Sequence, residues 1–368
     1  MNESINRRKL FKLAGSAAAA VGAATFAQSV LAGTTKTSLI KDSKGVGVYN
    51  EWDKLQSVIV GTTEGFTFPK LDWVLDTYSG ITDEIKEELR NHYGEVFEKL
   101  DSKQYAITKA EQDNLANIMD AEGIEVIRPT LPSNAERQAN HVGYTAMFER
   151  DNTLAVGDEL IDTFCRVGAR RKTHPFLYKQ ISKVVERTGQ SHISQPVPAI
   201  MADLPDETQP YLEGGDIFVL GKEILVGHAG IATSYAGIEW LQRHLAPKGY
   251  RVHTIELTQD WIHLDCIFST PREGLAMCYF GGVKGGKAAF PDFMQNWTWL
   301  EAKKEEAKAL GCNGVNLAPN RTIIGAEHTR IIKMLGDNGV ECVTLPYANA
   351  SMFGGGPRCS THPLIRKA

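Results

Sequence analysis

The sequence of 368 residues predicts an α/β protein in which five ββαβ units form one closed array with rough five-fold symmetry. Five short apolar stretches, rich in β-branched residues, each contain or precede a turn, as β-hairpins do, and stretches with apolar residues at helical spacing lie between them. Because no linker rich in Pro, Ser or Gly interrupts residues 47–363, we predict a single domain there.

The predicted hairpins recur along the whole chain. Each combines a run of apolar and β-branched residues with turn-forming residues. The first is residues 55–61 with the turn that follows, and the others pair 153–157 with 160–161, 217–221 with 224–227, 266–268 with 275–279, and 315–317 with 322–325.

Helices are predicted where apolar residues recur about every 3.6 positions. These stretches are residues 83–103, 109–120, 175–187, 235–245, 297–310 and 326–336. Three of them run through a glycine into a further strand, at residues 123–128, 249–255 and 339–345. A glycine at this point is typical of a helix C-cap, and it completes the repeating unit.

The composition excludes several classes of protein. Forty Lys and Arg residues stand against 44 Asp and Glu, a net charge of −4, which excludes a polybasic nucleic-acid-binding protein and an acidic disordered tail. After the N-terminal region no run of 18 apolar residues occurs, so we expect no membrane association of the mature chain. The six cysteines form no CxxC pair and no cluster with zinc spacing, and we expect most of them to be buried thiols.

The N-terminus has the pattern of a bacterial export signal. Residues 6–12 contain the pair Arg7-Arg8, an alanine-rich stretch follows over residues 13–31, and small residues around Ala32 suit signal peptidase. We therefore predict a Tat signal peptide at residues 1–32, the Tat export machinery as a partner, a mature chain that begins near Gly33, and a periplasmic location. An uncleaved membrane anchor is the alternative.

Acidic residues recur where the predicted hairpins begin. Asp151, Asp216 and Asp265 open the second, third and fourth hairpins, and Asp216 ends the sequence Glu213-Gly214-Gly215-Asp216. In a symmetric array these positions converge on one site. Crowded carboxylates need a compensating cation, and a guanidinium, which binds carboxylates through two parallel hydrogen bonds, is the natural one. The alternative is that each aspartate only forms a turn.

A second group of residues supplies a nucleophile. Cys359 follows three glycines and Arg358, and we expect Arg358 to lower the pKa of the thiol. With His263 as its partner, Cys359 forms a nucleophile and acid–base pair, although a lone C-terminal cysteine can also be structural. Together these residues indicate substitution at a guanidinium carbon through a Cys–amidino intermediate, which an amine or water then resolves.

At this point the chain resembles the amidinotransferases of the pentein superfamily, and it looks most like the glycine amidinotransferase branch. The matching pieces follow the order of the family over essentially the whole mature chain. They are residues 50–53 leading to 58–61, residues 147–157, residues 237–247, His263-Leu264-Asp265, and the glycine-rich run that ends at Cys359.

The resemblance implies a five-bladed α/β propeller, the pentein fold, without a cofactor and often as a homodimer. It implies Cys359 as nucleophile and His263 as general acid and base, with Asp151 and Asp265 on the substrate guanidinium. Arg358 is placed with the substrate-binding residues. The acidic partner of His263 falls on the Glu213–Asp216 motif, and both residues are assigned to the catalytic group with their roles left open.

Three functions remain open from the sequence. The first is an amidinotransferase that uses arginine as donor and an amine as acceptor. The second is a deiminase-type hydrolase of the same fold, which would release ammonia and a ureido product. The third is a catalytically silent periplasmic protein that binds guanidino compounds. Intact Cys359, His263 and Asp265 argue against the third.

Overall fold

The computed structural model describes residues 47–69, 83–133, 135–136, 143–166, 168–171, 173, 175–199 and 206–367. The predicted signal peptide lies outside these residues. Within them, five sheets of three strands each carry the repeated architecture, which confirms the predicted five-bladed α/β propeller. In every blade an antiparallel pair comes first, and the second strand of that pair also binds a third strand in parallel.

Each blade consists of these first, second and third strands. In that order, blade 1 contains Thr361–Lys367, Lys54–Val60 and Glu125–Ile127; blade 2 contains Thr153–Val156, Glu159–Asp162 and Ser191–Ser194; blade 3 contains Ile217–Leu220, Glu223–His228 and Arg251–Glu256; blade 4 contains Phe268–Arg272, Leu275–Cys278 and Thr298–Glu301; blade 5 contains Val315–Ala318, Arg321–Gly325 and Glu341–Leu345. A small additional sheet pairs Thr62–Thr67 with Tyr144–Ala146.

Helices connect the second and third strands of four blades. They are Asp83–Asn91, Phe97–Leu100 and Ser102–Ala121 in blade 1, Gly168–Arg171 and Pro175–Thr188 in blade 2, Tyr235–Leu245 in blade 3, and Thr329–Asp337 in blade 5. In blade 4 this connection, residues 279–297, all of them described, is made of short 3-10 turns. Two further helices, Lys304–Lys308 and Ala348–Ser351, follow the third strands of blades 4 and 5.

Three predicted elements are wrong in detail. The stretch 55–61 is a strand but not half of a local hairpin, because it pairs with the C-terminal strand Thr361–Lys367 and so closes the propeller. The predicted helix 83–103 is broken near Gly94, whose φ of +79° a helix cannot accommodate. The predicted helix 297–310 begins as the strand Thr298–Glu301, since the fourth blade completes its sheet there, and it is helical only over Lys304–Lys308.

The hydrophobic core lies between the blades and the helices that cover them. Helix Ser102–Ala121 buries Leu115 and Met119 against Val58 of blade 1 and Val315 of blade 5, so one helix joins the first and last blades. All six cysteines are free, and five of them are buried. In the part of the chain that the structure describes, no helix has both the length and the apolar character needed to cross a bilayer.

Candidate active site

The candidate site is built from one structural position that recurs in every blade, the segment just before the first strand. Blade 1 contributes Cys359, blade 2 Asp151, blade 3 Glu213 and Asp216, blade 4 His263 and Asp265, and blade 5 Asn313. Because the same position recurs around the propeller, residues far apart in sequence come together. The expected convergence at the hairpin mouths therefore matches the geometry.

The thiol of Cys359 lies in a tight turn and is held by two neighbouring blades. Asn313 brackets the residue, since its Nδ2 donates to Sγ at 3.1 Å and its Oδ1 accepts from the Cys359 N–H at 3.0 Å. The thiol lies 3.4 Å from Oδ2 of Asp265. Phe66, Phe68 and other aromatic residues pack beside it. The nucleophile is thus surrounded by an amide, a carboxylate and an apolar wall.

The glycines before Cys359 are required by these close contacts. A Cβ at Gly355 would lie 2.5 Å from the ring of Phe148, and one at Gly356 would lie 2.9 Å from Asn313. Real Cβ atoms do not approach neighbours this closely, so a side chain at either position would displace Phe148 or Asn313. The glycine run therefore positions the thiol against the surrounding residues.

His263 forms an ion pair with Glu213. The distance from His263 Nε2 to Glu213 Oε2 is 2.9 Å, and both side chains are buried. The two residues hold equivalent places, since each precedes a three-residue 3-10 turn, Gly214–Asp216 in blade 3 and Leu264–Cys266 in blade 4. Burial opposes the charged forms, but the charge of Asp151 and then the pairing with Glu213 raise the pKa of His263, and the same pairing lowers the pKa of Glu213. The imidazole is therefore held as an imidazolium.

Asp151 is positioned by the backbone of blade 3. The Gly215 N–H donates to its Oδ1 at 2.7 Å, and the same oxygen lies 3.9 Å from His263 Nε2. A Cβ at Gly215 would lie 2.6 Å from His263, and one at Gly214 would lie 2.1 Å from the Arg150 carbonyl oxygen. The two glycines therefore allow the backbone to pass close to the His263 ring and to the Arg150 carbonyl oxygen.

Asp216 contacts the backbone of the turn that follows His263. Its Oδ1 accepts the Leu264 N–H at 3.0 Å, and burial raises its pKa to about 7, although the charge of His263 opposes this. It supports the turn that carries His263 and does not contact the ring nitrogen that Glu213 binds. The geometry thus gives Glu213 the role of histidine partner and Asp216 the role of support.

Arg358 does not act on the thiol as expected. Its Nη1 binds Asp265 at 3.0 Å, its Nη2 binds Glu51 at 3.1 Å, and its guanidinium stacks 3.8 Å above the ring of Phe218. Burial and then the charge of Asp265 raise the pKa of Cys359 well above its usual value, and the cation that opposes this rise is Arg170. The expectation that Arg358 lowers the thiol pKa is therefore wrong for this arrangement.

Arg170 lies directly in the carboxylate cluster. Its Nη1 is 2.8 Å from Asp151 Oδ2 and 3.1 Å from Glu213 Oε2. Among the described residues, Asp151, Glu213 and His263 are the group whose ligand atoms are close enough to hold a metal ion, within 4.8 Å of one another. A guanidinium already provides the cation there, and a metal would take the ring nitrogen that pairs with Glu213.

The site is closed in this conformation. Cys359 is 3% exposed and His263 is 2% exposed. No hydrogen bond joins these two residues, both of which the structure describes, so a proton passes between them only through a bound molecule or after a small movement. Entry of any substrate therefore requires a rearrangement of the side chains that cover the thiol.

Comparisons with known proteins agree with this geometry. Residues 146–278 match the sequence profile described as arginine deiminase. Glycine amidinotransferase from Gallus gallus mitochondria is 26% identical, with 87% of this chain and 82% of the relative aligned. L-arginine:L-lysine amidinotransferase from Pseudomonas savastanoi pv. phaseolicola is 24% identical over 87% of this chain and 94% of the relative.

A solved structure gives the same fold. The amidinotransferase of the saxitoxin biosynthetic pathway from Microseira wollei superimposes with a TM-score of 0.72 at 24% identity, over 88% of this chain and 98% of that chain. The chain is therefore similar to amidinotransferases over most of its length, and it shares the fold of this solved structure. The resemblance found in the sequence motifs is thereby confirmed.

Sequence reasoning missed Asn313 and Arg170. A usable signal existed for Asn313, because it precedes the fifth predicted hairpin by two residues, as Asp151 precedes the second. Extending the pattern of hairpin mouths from acids to amides would have found it. The short helix Gly168–Arg171 has no such pattern, and only the tertiary structure brings Arg170 to the carboxylates.

Proposed function

We propose that the protein transfers the amidino group of L-arginine to an acceptor amine and releases ornithine. The observation that carries this proposal is the convergence of the Cys359 thiol, the His263–Glu213 pair and the carboxylates of Asp151 and Asp265. A guanidinium enters charged, and buried carboxylates stabilise that charge as the carbon is attacked. The amidinotransferases among the relatives support the same class of reaction.

The proposed first step makes one bond and breaks another. Sγ of Cys359 attacks the guanidinium carbon, and the bond from that carbon to the side-chain nitrogen of arginine breaks. The imidazolium of His263 gives its proton to the leaving nitrogen and regains one from the thiol. The products are ornithine and a cationic Cys359–amidino intermediate.

The second step reverses these proton transfers with a different amine. An uncharged acceptor amine attacks the amidino carbon, Sγ leaves, and the acceptor proton returns to the thiol through His263. The raised pKa of His263 suits a group that begins as an acid.

The test is a product analysis with the mature protein. Incubation with L-arginine alone, and then with glycine, L-lysine or other primary amines added, is followed by mass spectrometry. We expect ornithine that increases with amine concentration and an acceptor that gains the amidino group, and both should disappear in Cys359→Ala. If neither product forms at any acceptor concentration, the proposal is contradicted.

A deiminase-type hydrolase is the second candidate, and the match of residues 146–278 to the arginine deiminase profile favours it. Here water resolves the intermediate after ammonia has left, so citrulline is the product. Both reactions need Cys359 and His263, and mutation of these residues cannot separate them. Stoichiometric citrulline that does not depend on an added amine would support the hydrolase instead.

We also propose that the protein is exported through the Tat pathway, on the basis of Arg7, Arg8 and the alanine-rich stretch that follows. Replacing both arginines by lysine should leave the full-length precursor in the cytoplasm, because the Tat receptor recognises the arginine pair. The variant with both Lys9 and Lys12 replaced by arginine is the matched control and should still be exported. Normal periplasmic recovery of the Arg7→Lys/Arg8→Lys variant would overturn this assignment.

A further inference from the structure

We propose that Arg170 occupies the guanidinium-binding position of the resting protein and leaves it when the donor binds, so that an arginine of the chain competes with the substrate. The inference rests on the proposed function, because it takes the donor to be a guanidinium compound. It makes Arg170 a residue that sets donor affinity, in addition to the residues that act on the bound donor.

The geometry of Arg170 is the first argument. Its Nη1 contacts Asp151 Oδ2 at 2.8 Å and Glu213 Oε2 at 3.1 Å. Arg170 Nη1 donates to Glu213, and its charge lies against Asp151, so it fills the place between two carboxylates where a guanidinium substrate would present its own N–H groups. A donor guanidinium and Arg170 cannot occupy this place together, because Nη1 already lies in contact with Asp151 Oδ2.

The charges of the site are the second argument. The buried carboxylates of Asp151 and Glu213 face two cations, the imidazolium of His263 and the guanidinium of Arg170, while Asp265 and Glu51 share Arg358. A donor guanidinium would add a third cation beside Asp151 and Glu213, in a site that is closed to water, where repulsion between like charges is strong. Departure of one cation restores the balance, so donor binding is an exchange of guanidinium groups.

The attachment of the two arginines decides which one leaves. Arg358 is buried, and its three guanidinium nitrogens all have partners. Arg170 projects from the four-residue helix Gly168–Arg171, and its side chain retains 15% exposure, whereas Asp151 and Glu213 retain 1%. Arg170 is therefore the cation with a route to solvent, and its departure also opens the site.

A competitor inside the chain has a measurable consequence. The apparent dissociation constant for the donor is the intrinsic constant divided by the fraction of protein with a vacant site. If Arg170 occupies the position in about nine molecules of ten, its removal strengthens donor binding about tenfold. The gain should extend to every guanidinium ligand, with or without a carboxylate.

The experiment measures binding without turnover. Isothermal titration calorimetry on Cys359→Ala and Cys359→Ala/Arg170→Met uses three probes: L-arginine, agmatine, which lacks the carboxylate, and guanidinium chloride. We expect the double variant to bind all three about tenfold more tightly. Cys359→Ala/Arg171→Met is the matched control and should bind as Cys359→Ala does, because Arg171 lies on the same helix but donates to the backbone carbonyls of Cys165 and Arg166.

Two outcomes would overturn the inference. Unchanged or weaker binding of all three probes would show that Arg170 does not compete. Weaker binding of L-arginine alone, with agmatine and guanidinium unchanged, would assign Arg170 to the substrate carboxylate. If Arg170→Met fails to fold by its thermal melt, Arg170→Lys, which keeps the charge but loses the planar group, should tighten binding in the same direction by a smaller factor, and a lack of tightening there counts against the inference.

Failure of the proposed function gives a different result. If removal of Arg170 tightens binding of the probes but the protein forms neither ornithine nor citrulline from L-arginine, this inference holds and the proposed reaction is wrong. If the protein forms ornithine but removal of Arg170 does not tighten binding of the probes, the proposed reaction holds and this inference is wrong.

Discussion

Arg358 and Arg170 both neutralise carboxylates of the candidate site, but the protein holds them in very different ways. Arg358 comes from the turn that carries the nucleophile, stacks on Phe218 and uses every guanidinium nitrogen. Arg170 comes from a short helix and reaches two carboxylates with one nitrogen, Nη1. A buried guanidinium whose nitrogens all have partners therefore belongs to the framework, whereas one with few partners can exchange with a substrate guanidinium.

The largest expected effect is on the stability of the framework. Arg358→Met would leave Glu51 and Asp265 buried without their cation, and we expect a loss of about 3 to 5 kcal/mol in the free energy of unfolding. Arg170→Met is the matched comparison and should cost less than Arg358→Met, because His263 still faces Asp151 and Glu213. Urea unfolding of both variants measures the difference, and equal losses would remove the distinction between the two arginines.

The second prediction concerns the carboxylate that both Arg358 and the thiol contact. Asp265→Asn should keep the fold but lose charge beside the guanidinium carbon, with a loss of transition-state stabilisation of about 3 kcal/mol, roughly a hundredfold in kcat/KM. The measurement is the rate of ornithine formation, with a thermal melt to establish folding. Unchanged turnover would limit Asp265 to its ion pair with Arg358.

A third prediction uses a carboxyl group with no ion pair to any described residue. Burial raises the pKa of Glu149 to about 8 from an ordinary value of 4.5, although hydrogen bonds from Asn152 and Thr173 oppose the rise. The folded protein therefore keeps a proton that the unfolded chain releases, so this residue costs stability as the pH rises from about 4.5 to about 8.

Glu149→Gln removes that cost. The stability of the variant relative to the parent should increase by about 2 kcal/mol or more between pH 5 and pH 9. Chemical unfolding at the two pH values measures it. A difference that does not change with pH would show that Glu149 is ionised in the folded protein.

The smallest expected effect tests the amide beside the thiol. Asn313→Ala removes the hydrogen bond to Sγ and should raise the pH at which Cys359 reacts with iodoacetamide, with roughly a tenfold loss of turnover. Asn316→Ala is the control, because Asn316 donates to backbone carbonyls of Glu51 and Thr270 and not to the sulfur. An unshifted pH profile in Asn313→Ala would limit Asn313 to a structural role.

The sequence by itself determined the repeating architecture. Hairpin turns, apolar spacing and the C-cap glycines are local signals, because each depends on residues a few positions apart, and they were sufficient to predict the five ββαβ units. The same local order placed Asp151, Asp265 and His263 just before the first strands of their blades. Their catalytic roles stay predictions until substitution and product analysis test them.

Only the tertiary structure decided how these positions interact. It paired Lys54–Val60 with Thr361–Lys367, brought Glu213 rather than Asp216 to the ring nitrogen of His263, and directed Arg358 away from the thiol toward Glu51 and Asp265. It also brought Arg170 into the carboxylate cluster. The physical reason is that these contacts join residues far apart in sequence, and burial and charge in the closed propeller, which no local pattern encodes, select among the possible partners.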